Sequence, residues 1–164
     1  MQIKSTSTAA VEAKRENELT VHIGEDAWDL LSKHSFLAGW DTLYAACPWA
    51  TVFQSRAFVI TWYQTYRNKY TPIVVKSVEN GKLTGLLTLA KGDSELIVGA
   101  GEYQAEYQVW LATNANGEIF IRNALLEIGK RFKGNKVQLK FIPGEAPMNW
   151  VKEDLVLKKR CMIR

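Results

Sequence analysis

The sequence predicts an α+β (α/β) domain in which helices flank a mixed, mostly antiparallel sheet. Apolar residues recur at helical spacing in some segments, whereas β-branched residues cluster or alternate in others. An Asn-Gly pair between two β-branched segments is typical of a tight β-hairpin. The predicted order is β-α-α-β-β-β-β-α-β-β, and elements mixed in this way pack as helices on a sheet.

Composition and size are those of one globular domain. The chain has 164 residues, of which 47% are hydrophobic and 23% are charged. No segment approaches the ~20 apolar residues of a membrane-spanning helix, so we expect a cytoplasmic protein without a membrane span. The two cysteines, Cys47 and Cys161, lie far apart, and with only two histidines a metal site lacks ligands. We therefore expect no metal.

The charge is mildly basic. The formal net charge is +4, and the positive residues are either scattered, as over residues 130–140, or gathered at the tail, as at Lys158, Lys159, Arg160 and Arg164. A nucleic-acid-binding surface needs them on one face, which spacing alone does not establish. We favour a solvated surface over nucleic-acid binding through Lys and Trp.

The first part of the chain predicts a strand and two helices. We expect residues 1–17 to form a flexible leader, because they are small, polar and charged, and residues 18–164 to form a single domain. Leu19–Ile23 alternates as a strand does. Two helices follow, each with apolar residues along one face. Pro48 ends the first helix, and Ser55 is the predicted N-cap of the second. The members of these faces are Trp40, Leu43, Tyr44 and Cys47, and then Val59, Trp62, Tyr63 and Tyr66.

We interpret the aromatic residues between Val52 and Tyr70 mainly as core, because they fall on one helical face. The alternative is a surface on which a ligand stacks. Gln54 and Arg56 stand at the start of this helix and are the candidate substrate contacts within the segment.

The second part predicts strands around one further helix. Asn80-Gly81 supplies the positive φ angles of a type I′ turn between two strands. Later strands are expected on both sides of the Gly99-Ala100-Gly101 corner, and a helix begins after Gly117. The predicted segments are Ile73–Val75, Leu83–Leu89, Leu96–Val98, Tyr107–Leu111, a helix with Ile121, Leu125, Ile128 and Phe132 inside, Lys136–Phe141 and Leu155–Leu157.

Several of these residues carry a resemblance to a known family. The chain resembles the N-terminal half of the CelD-type acyltransferases, bacterial members of the GNAT superfamily related to the FemAB-like enzymes. The matching residues are Trp40, Leu43, Pro48, Phe53-Gln54-Ser55, Phe58, Trp62-Tyr63, Tyr66, the LTGLLTLA strand of 83–90 and the segment 99–110. The resemblance implies a GNAT-like domain and an acyl-CoA-dependent transfer to an amine.

The resemblance also implies two tandem GNAT-like halves, with acyl-CoA bound mainly by the second. This chain corresponds to one half, so we expect it to be the N-terminal half of a longer protein. Its expected partners are the second GNAT-like half or another subunit, and a small-molecule amine substrate. Acyl-CoA is then a co-substrate bound mainly outside this chain.

The position of the GNAT diphosphate loop lacks the family pattern. Glycine-rich backbone at a helix N-terminus would cradle the diphosphate, since free amides and the helix dipole both favour an anion. The corresponding segment, 111–118, has one glycine and places Glu118 in the first turn. Gly99-Ala100-Gly101 is a second candidate for phosphate binding, but a tight corner explains its glycines equally well.

The candidate catalytic residues lie in the polar segment 102–107. Glu106 could accept a proton from an attacking amine, and Tyr103 or Tyr107 could return one to a leaving thiolate. Tyr107 is the candidate catalytic residue of the two, and Tyr103 is also a candidate substrate contact. The alternative is an exposed strand edge with half-buried tyrosines. Two hypotheses follow: a domain of an N-acyltransferase that is not catalytically complete alone, or a non-catalytic binding or scaffolding module that has lost the acyl-CoA loop.

Overall fold

The computed structural model describes residues 17–154 and 157, and in them helices flank a mixed sheet. The α+β fold class predicted from the sequence is confirmed. The strands are β1 (Asn17–Ile23), β2 (Thr71–Glu79), β3 (Lys82–Lys91), β4 (Leu96–Gly99), β5 (Leu111–Ala112) and β6 (Lys136–Gln138). The helices are α1 (Glu25–Ser32), α2 (His34–Ala46), α3 (Arg56–Thr65), α4 (Gly117–Arg131) and α5 (Asn149–Glu153), with 3₁₀ turns at Val52–Gln54 and Asn114–Asn116.

The β2–β3 hairpin is the centre of the sheet. Its turn residues Asn80 and Gly81 have φ angles of 52° and 75°, the left-handed values that a type I′ turn needs. The predicted hairpin is thus confirmed. The register shifts once, between Ser77 and Val78, where the strands form a bulge.

The far edge of β3 is divided between two strands. Sheet order is β1-β2-β3-β4-β6, and β5 pairs separately with β3. Leu89–Lys91 pairs with β4, whereas Gly85 and Leu86 pair with β5. Residues 100–110, called here the β4–β5 loop, connect these two strands. β4 and β6 are parallel, with α4 between them in the chain.

Helices α2 and α3 bury the faces that their sequences predict. Trp40 and Leu43 of α2 lie in the core, and α2 ends at Ala46, ahead of Pro48. The Ser55 hydroxyl accepts a hydrogen bond from Phe58 N at 3.3 Å and caps α3. The α3 residues in the core are Val59, Trp62 and Tyr63, with Tyr66 half-buried.

Some boundaries differ from the sequence predictions. The predicted strand over 107–111 is wrong for most of its length, since β5 covers only Leu111–Ala112. The reason is that Gln108 N donates instead to Lys140 O at 2.9 Å, away from β3. Lys140 follows β6, and β6 is itself shorter than the strand predicted over Lys136–Phe141.

The ends of the domain differ as well. β1 begins at Asn17, inside the segment predicted as a leader, and the rest of that segment lies outside the described residues. Leu155 and Val156 of the last predicted strand also lie outside them. A helix that the sequence analysis did not separate, α1, precedes α2, and the extended backbone of Lys33 divides the two. Within the described chain, no helix is both long and apolar enough to cross a membrane.

Candidate functional site

The N-terminus of α4 is covered by side chains of the same protein. Gly117, its first residue, is buried. A Cβ atom added there would lie 2.8 Å from Cη2 of Trp49 and 2.9 Å from Cγ of Pro147. Trp49 is itself fixed, because its Nε1 donates to Trp110 O at 2.7 Å. The backbone at this helix end therefore packs against two rings.

Glu118 adds a negative charge at the same helix end. Its side chain lies in the first turn of α4, where the helix dipole favours an anion. Its Oε1 accepts a hydrogen bond from Asn149 N, the first residue of α5, at 2.9 Å. The carboxylate thus joins α4 to α5 and repels any further anion at this end.

The β4–β5 loop begins with a tight turn in left-handed backbone. Gly101 and Glu102 have φ angles of 98° and 37°, and a non-glycine residue seldom adopts such a value. Glu102 N donates to Gly99 O at 3.1 Å, and Gln104 N donates to Gly101 O at 2.7 Å. After the turn, the side chains of Tyr103, Gln104, Glu106 and Tyr107 are exposed, whereas Ala105 between them is buried.

Glu106 and Tyr107, the candidate catalytic residues, lie on this loop. Glu106 is exposed, and it makes no hydrogen bond or ion pair with any residue that the structure describes. Tyr107 is 37% exposed, and its ring centroid lies 6.4 Å from that of Phe53. Both side chains therefore face solvent rather than an enclosed cleft.

Gln54 lies against the same loop, but its polar atoms are engaged. Only 4% of the residue is exposed. Its Nε2 donates to Tyr107 O at 2.9 Å, and its Oε1 accepts from the backbone N and the hydroxyl of Thr51 at 3.0 and 2.9 Å. Gln54 thus holds the backbone of Tyr107 in place through the hydrogen bond to its carbonyl oxygen.

Arg56 and Tyr103 point elsewhere. Arg56 forms an exposed ion pair with Asp41 at 2.9 Å. Tyr103 is 79% exposed, and Nζ of Lys140 lies 3.9 Å from its ring centroid. The structure therefore brings Gln54 and Tyr107 into contact, and within the described residues no hydrogen bond, ion pair or ring contact joins Arg56 or Tyr103 to them.

Sequence reasoning missed two residues that hold the loop in place. Gln108 is 2% exposed, its Nε2 donates to Glu102 O at 2.8 Å, and its Oε1 accepts from Lys140 N at 3.0 Å. Tyr70 donates from its hydroxyl to Oε2 of Glu102 at 2.6 Å. The spacing of four residues between Tyr66 and Tyr70 could have indicated that the two rings lie close together. It could not have indicated the hydrogen-bond partner of Tyr70, Glu102, which lies 32 residues away.

Tyr70 belongs to a cluster of rings beside the loop. Its ring centroid lies 5.1 Å from that of Trp62, which in turn lies 5.3 Å from that of Tyr66. Nε1 of Trp62 donates to Oε1 of Gln104 at 3.0 Å, so the cluster contacts the loop twice. Burial, reinforced by the hydrogen bond to Glu102, raises the pKa of Tyr70. The phenol therefore stays a proton donor to Glu102.

Next to this cluster lies a shallow depression of about 230 Å³. Its lining includes Arg67, Lys69, Tyr70, Lys91 and Asp93. Nζ of Lys91 donates to the backbone carbonyls of Gly92 and Ser94, so two of the hydrogen bonds of this ammonium group are made within the same turn. The depression is open and polar.

The histidines lie apart from the loop. Nδ1 of His22 is 2.7 Å from Oδ2 of Asp26, and His34 is exposed at the start of α2. Among the described residues there is no group of three or more His, Cys, Asp or Glu side chains placed to hold a metal ion. Burial raises the pKa of the Cys47 thiol, which packs in the core.

Comparisons with known proteins give no family assignment. A scan against protein-family models, a search of curated proteins and a search of solved structures each find no match to this chain. The functional proposal therefore stands on the geometry described above and on the resemblance of the sequence motifs.

Proposed function

We propose that this chain is a GNAT-like domain of an acyl-CoA-dependent N-acyltransferase, and that it forms the amine-substrate side without binding acyl-CoA itself. The resemblance of the sequence motifs supports the acyltransferase class, and the observation that supports acyl-CoA binding outside this chain is the covered N-terminus of α4. A strand, β5, leads into this helix, which is where a GNAT domain would hold the diphosphate of acyl-CoA.

The geometry of that helix end disfavours the diphosphate for two reasons. An anion at a helix N-terminus needs free backbone amides at close range, and Trp49 and Pro147 pack against Gly117 there. The anion would also meet the carboxylate of Glu118, which already accepts from Asn149 N. A second GNAT-like half or another subunit then supplies the acyl-CoA.

The β4–β5 loop is the part of this chain that faces the reaction in this proposal. Glu106 would accept a proton from the attacking amine, and Tyr107, positioned by Gln54, would return one to the leaving thiolate. Both residues are exposed here, so the partner half has to close over them to exclude water.

Isothermal titration with acetyl-CoA tests the proposal. The chain alone should give no binding heat, whereas a longer polypeptide that includes the second half should bind. The matched variant is Glu118→Gln, which removes the charge but keeps the rings of Trp49 and Pro147 in place, and it should remain non-binding. Micromolar binding by the unaltered chain would contradict the proposal.

The second candidate is a non-catalytic binding or scaffolding module. It is favoured by one observation. The side-chain amide of Gln54, a candidate substrate contact, is already hydrogen-bonded to Thr51 and Tyr107. The two functions differ in the effect of Glu106→Gln in the complete protein. A proton acceptor should lose roughly 10²-fold or more in turnover, whereas a scaffold should lose none.

A further inference from the structure

Strand β1 forms one edge of the sheet, and its outer side has no partner strand among the described residues. It pairs with β2 alone, over Asn17–Ile23 and without a break in register. The strand has seven residues and contains no proline, glycine or lysine. Natural proteins usually protect an exposed edge with a short strand, a bulge, a proline or a lysine. None of these features is present in β1, so this edge is open to a further strand.

The opposite edge of the sheet is protected in these ways. Strand β6, at the other end of the sheet order, has only three residues and begins with an exposed lysine, Lys136. A short strand with a lysine gives little backbone for a second chain to pair with. The two edges therefore differ, and the difference points to β1 as the edge that takes a partner.

The hydrogen bonds to β2 show which backbone groups of β1 face outward. Gly24 N donates to Pro72 O at 3.0 Å, and these two residues continue the register of β1 with β2. In an antiparallel pair, residues that exchange hydrogen bonds alternate with residues that do not. The even-numbered residues of β1 therefore bond to β2. The N–H and C=O groups of Leu19, Val21 and Ile23 point to the free edge.

We propose that two copies of this chain associate through their β1 strands, which pair antiparallel about a twofold axis at Thr20. With Thr20 opposite Thr20 of the second copy, residue 17 lies opposite residue 23, so all seven residues of the strand pair. Leu19 of one copy and Val21 of the other then exchange hydrogen bonds, because the backbone groups of both face the edge. An axis at Val21 would instead place residues 17 and 18 opposite residues 25 and 24, beyond the end of β1.

The same register brings opposite charges together. Glu18 of each copy, an exposed carboxylate, lies directly opposite His22 of the other copy. Nδ1 of His22 is 2.7 Å from Oδ2 of Asp26, and its Nε2 is 3.2 Å from Oγ1 of Thr20, on the side of the axis. A protonated imidazole thus donates to Asp26 from Nδ1 and to Glu18 of the second copy from Nε2. Opposite charges directly across two strands stabilise their pairing, and the symmetry makes this contact twice.

Sedimentation velocity tests the dimer on the chain itself. The unaltered chain should change from a species of 18.6 kDa to one of twice that mass as its concentration rises. Thr20→Glu places two carboxylates opposite each other on the axis, so it should weaken dimerisation by about fivefold or more. Within each copy the new carboxylate lies opposite Lys76 of β2, which favours the fold. Thr61→Glu, the same change at an exposed position of α3, is the matched control and should leave dimerisation within about twofold.

Disulfide cross-linking tests the register, in a chain with Cys161→Ser. Thr20→Cys should form a covalent dimer on mild oxidation, because a pair of this kind brings the two Cα atoms to about 4.5 Å, within the range of a disulfide. Glu18→Cys lies four residues out of register with its own copy, roughly 13 Å away, and should not cross-link to itself. A mixture of Glu18→Cys and His22→Cys chains should cross-link.

The proposal is overturned if the chain stays monomeric at every concentration, if Thr20→Glu dimerises like the unaltered chain, or if Glu18→Cys cross-links to itself as readily as Thr20→Cys. A circular dichroism spectrum like that of the parent shows that Thr20→Glu is folded. Hydrogen exchange identifies any other occupant of the edge. The amides of Leu19 and Val21 should be protected only in the dimer, and their protection in a monomer would show that the same chain covers β1 and would contradict the proposal.

Dimerisation through β1 is separate from the proposed transferase function. It requires neither acyl-CoA nor an amine, so a monomeric chain would leave the transferase proposal in place. Acetyl-CoA binding by the chain alone would end the argument from α4 and would leave the sedimentation and cross-linking results unchanged.

Discussion

Gln54 illustrates what a single buried polar residue does in this protein. Its amide joins two segments that are far apart in the sequence: it bonds twice to nearby Thr51 and once to Tyr107, 53 residues away. The local half of this arrangement is a capping box of the 3₁₀ turn. The sequence could place Gln54 at the helix entrance, but the contact with Tyr107 depends on how the loop folds back.

Replacing Gln54 by Ala should destabilise the fold. The change leaves Tyr107 O and Thr51 N without their partner in a partly buried place, so we expect a loss of about 1–3 kcal/mol in the free energy of unfolding. Urea unfolding followed by tryptophan fluorescence measures it. Arg56→Ala is the control two residues away: its ion pair with Asp41 is exposed, so the loss should stay below about 1 kcal/mol. Equal losses in the two variants would refute this role of Gln54.

At the scale of elements, local signals predicted the structure where local contacts determine it. The Asn80-Gly81 turn and the Ser55 cap each act within a few residues, and both are confirmed. The strand predicted over 107–111 failed because Gln108 pairs with Lys140, a contact that spans 32 residues. Alternating apolar residues predict an extended backbone, but they do not identify its partner.

Two glycines show how α4 meets the sheet. A Cβ atom added at Gly85 of β3 would lie 2.3 Å from Cδ2 of Phe120, which belongs to α4 and is buried. Gly85 thus makes room for this ring. Gly129, in the same helix, has no heavy atom within 4 Å of such a Cβ.

Alanine at these two positions should have effects of opposite sign. Gly85→Ala forces Phe120 out of its position and should cost about 1–3 kcal/mol. Gly129→Ala restricts the unfolded chain and favours the helix, so it should add about 0.5–1 kcal/mol. Thermal unfolding by circular dichroism compares both with the parent chain. A Gly85→Ala variant as stable as the parent would show that α4 does not pack on β3 as described.

At the scale of the whole molecule, the sequence predicted the fold class but not how the sheet is joined. A largely antiparallel sheet is expected from hairpin signals, and β1 to β4 follow it. The parallel pair β4–β6 brings residue 136 beside residue 96, and no local pattern encodes that choice. The β4–β5 loop, the candidate site, lies where this long-range pairing divides the edge of β3. For that reason the contacts of Glu102 with Tyr70 and Gln108 had no counterpart in the sequence analysis.

The fold as a whole should lose stability at alkaline pH through one buried phenol. Tyr63 donates to Leu89 O at 2.7 Å in the core, and burial raises its pKa well above the ordinary value of 10.0. The group is therefore protonated in the folded state when it has already ionised in the unfolded state. Its contribution is fully present below pH 10.0 and decreases above it, by about 1.4 kcal/mol per pH unit.

Urea unfolding at several pH values between about 9 and 11.5 measures this slope, which follows from the proton released on unfolding. Tyr63→Phe should be less stable at neutral pH, because Leu89 O loses its donor, yet should lose less stability per pH unit above 10.0. Val59→Ala, a buried and non-titrating change in the same helix, should lower stability equally at every pH and keep the parent slope. Parallel curves for the parent and Tyr63→Phe would show that Tyr63 ionises without unfolding, and would contradict its assignment to the closed core.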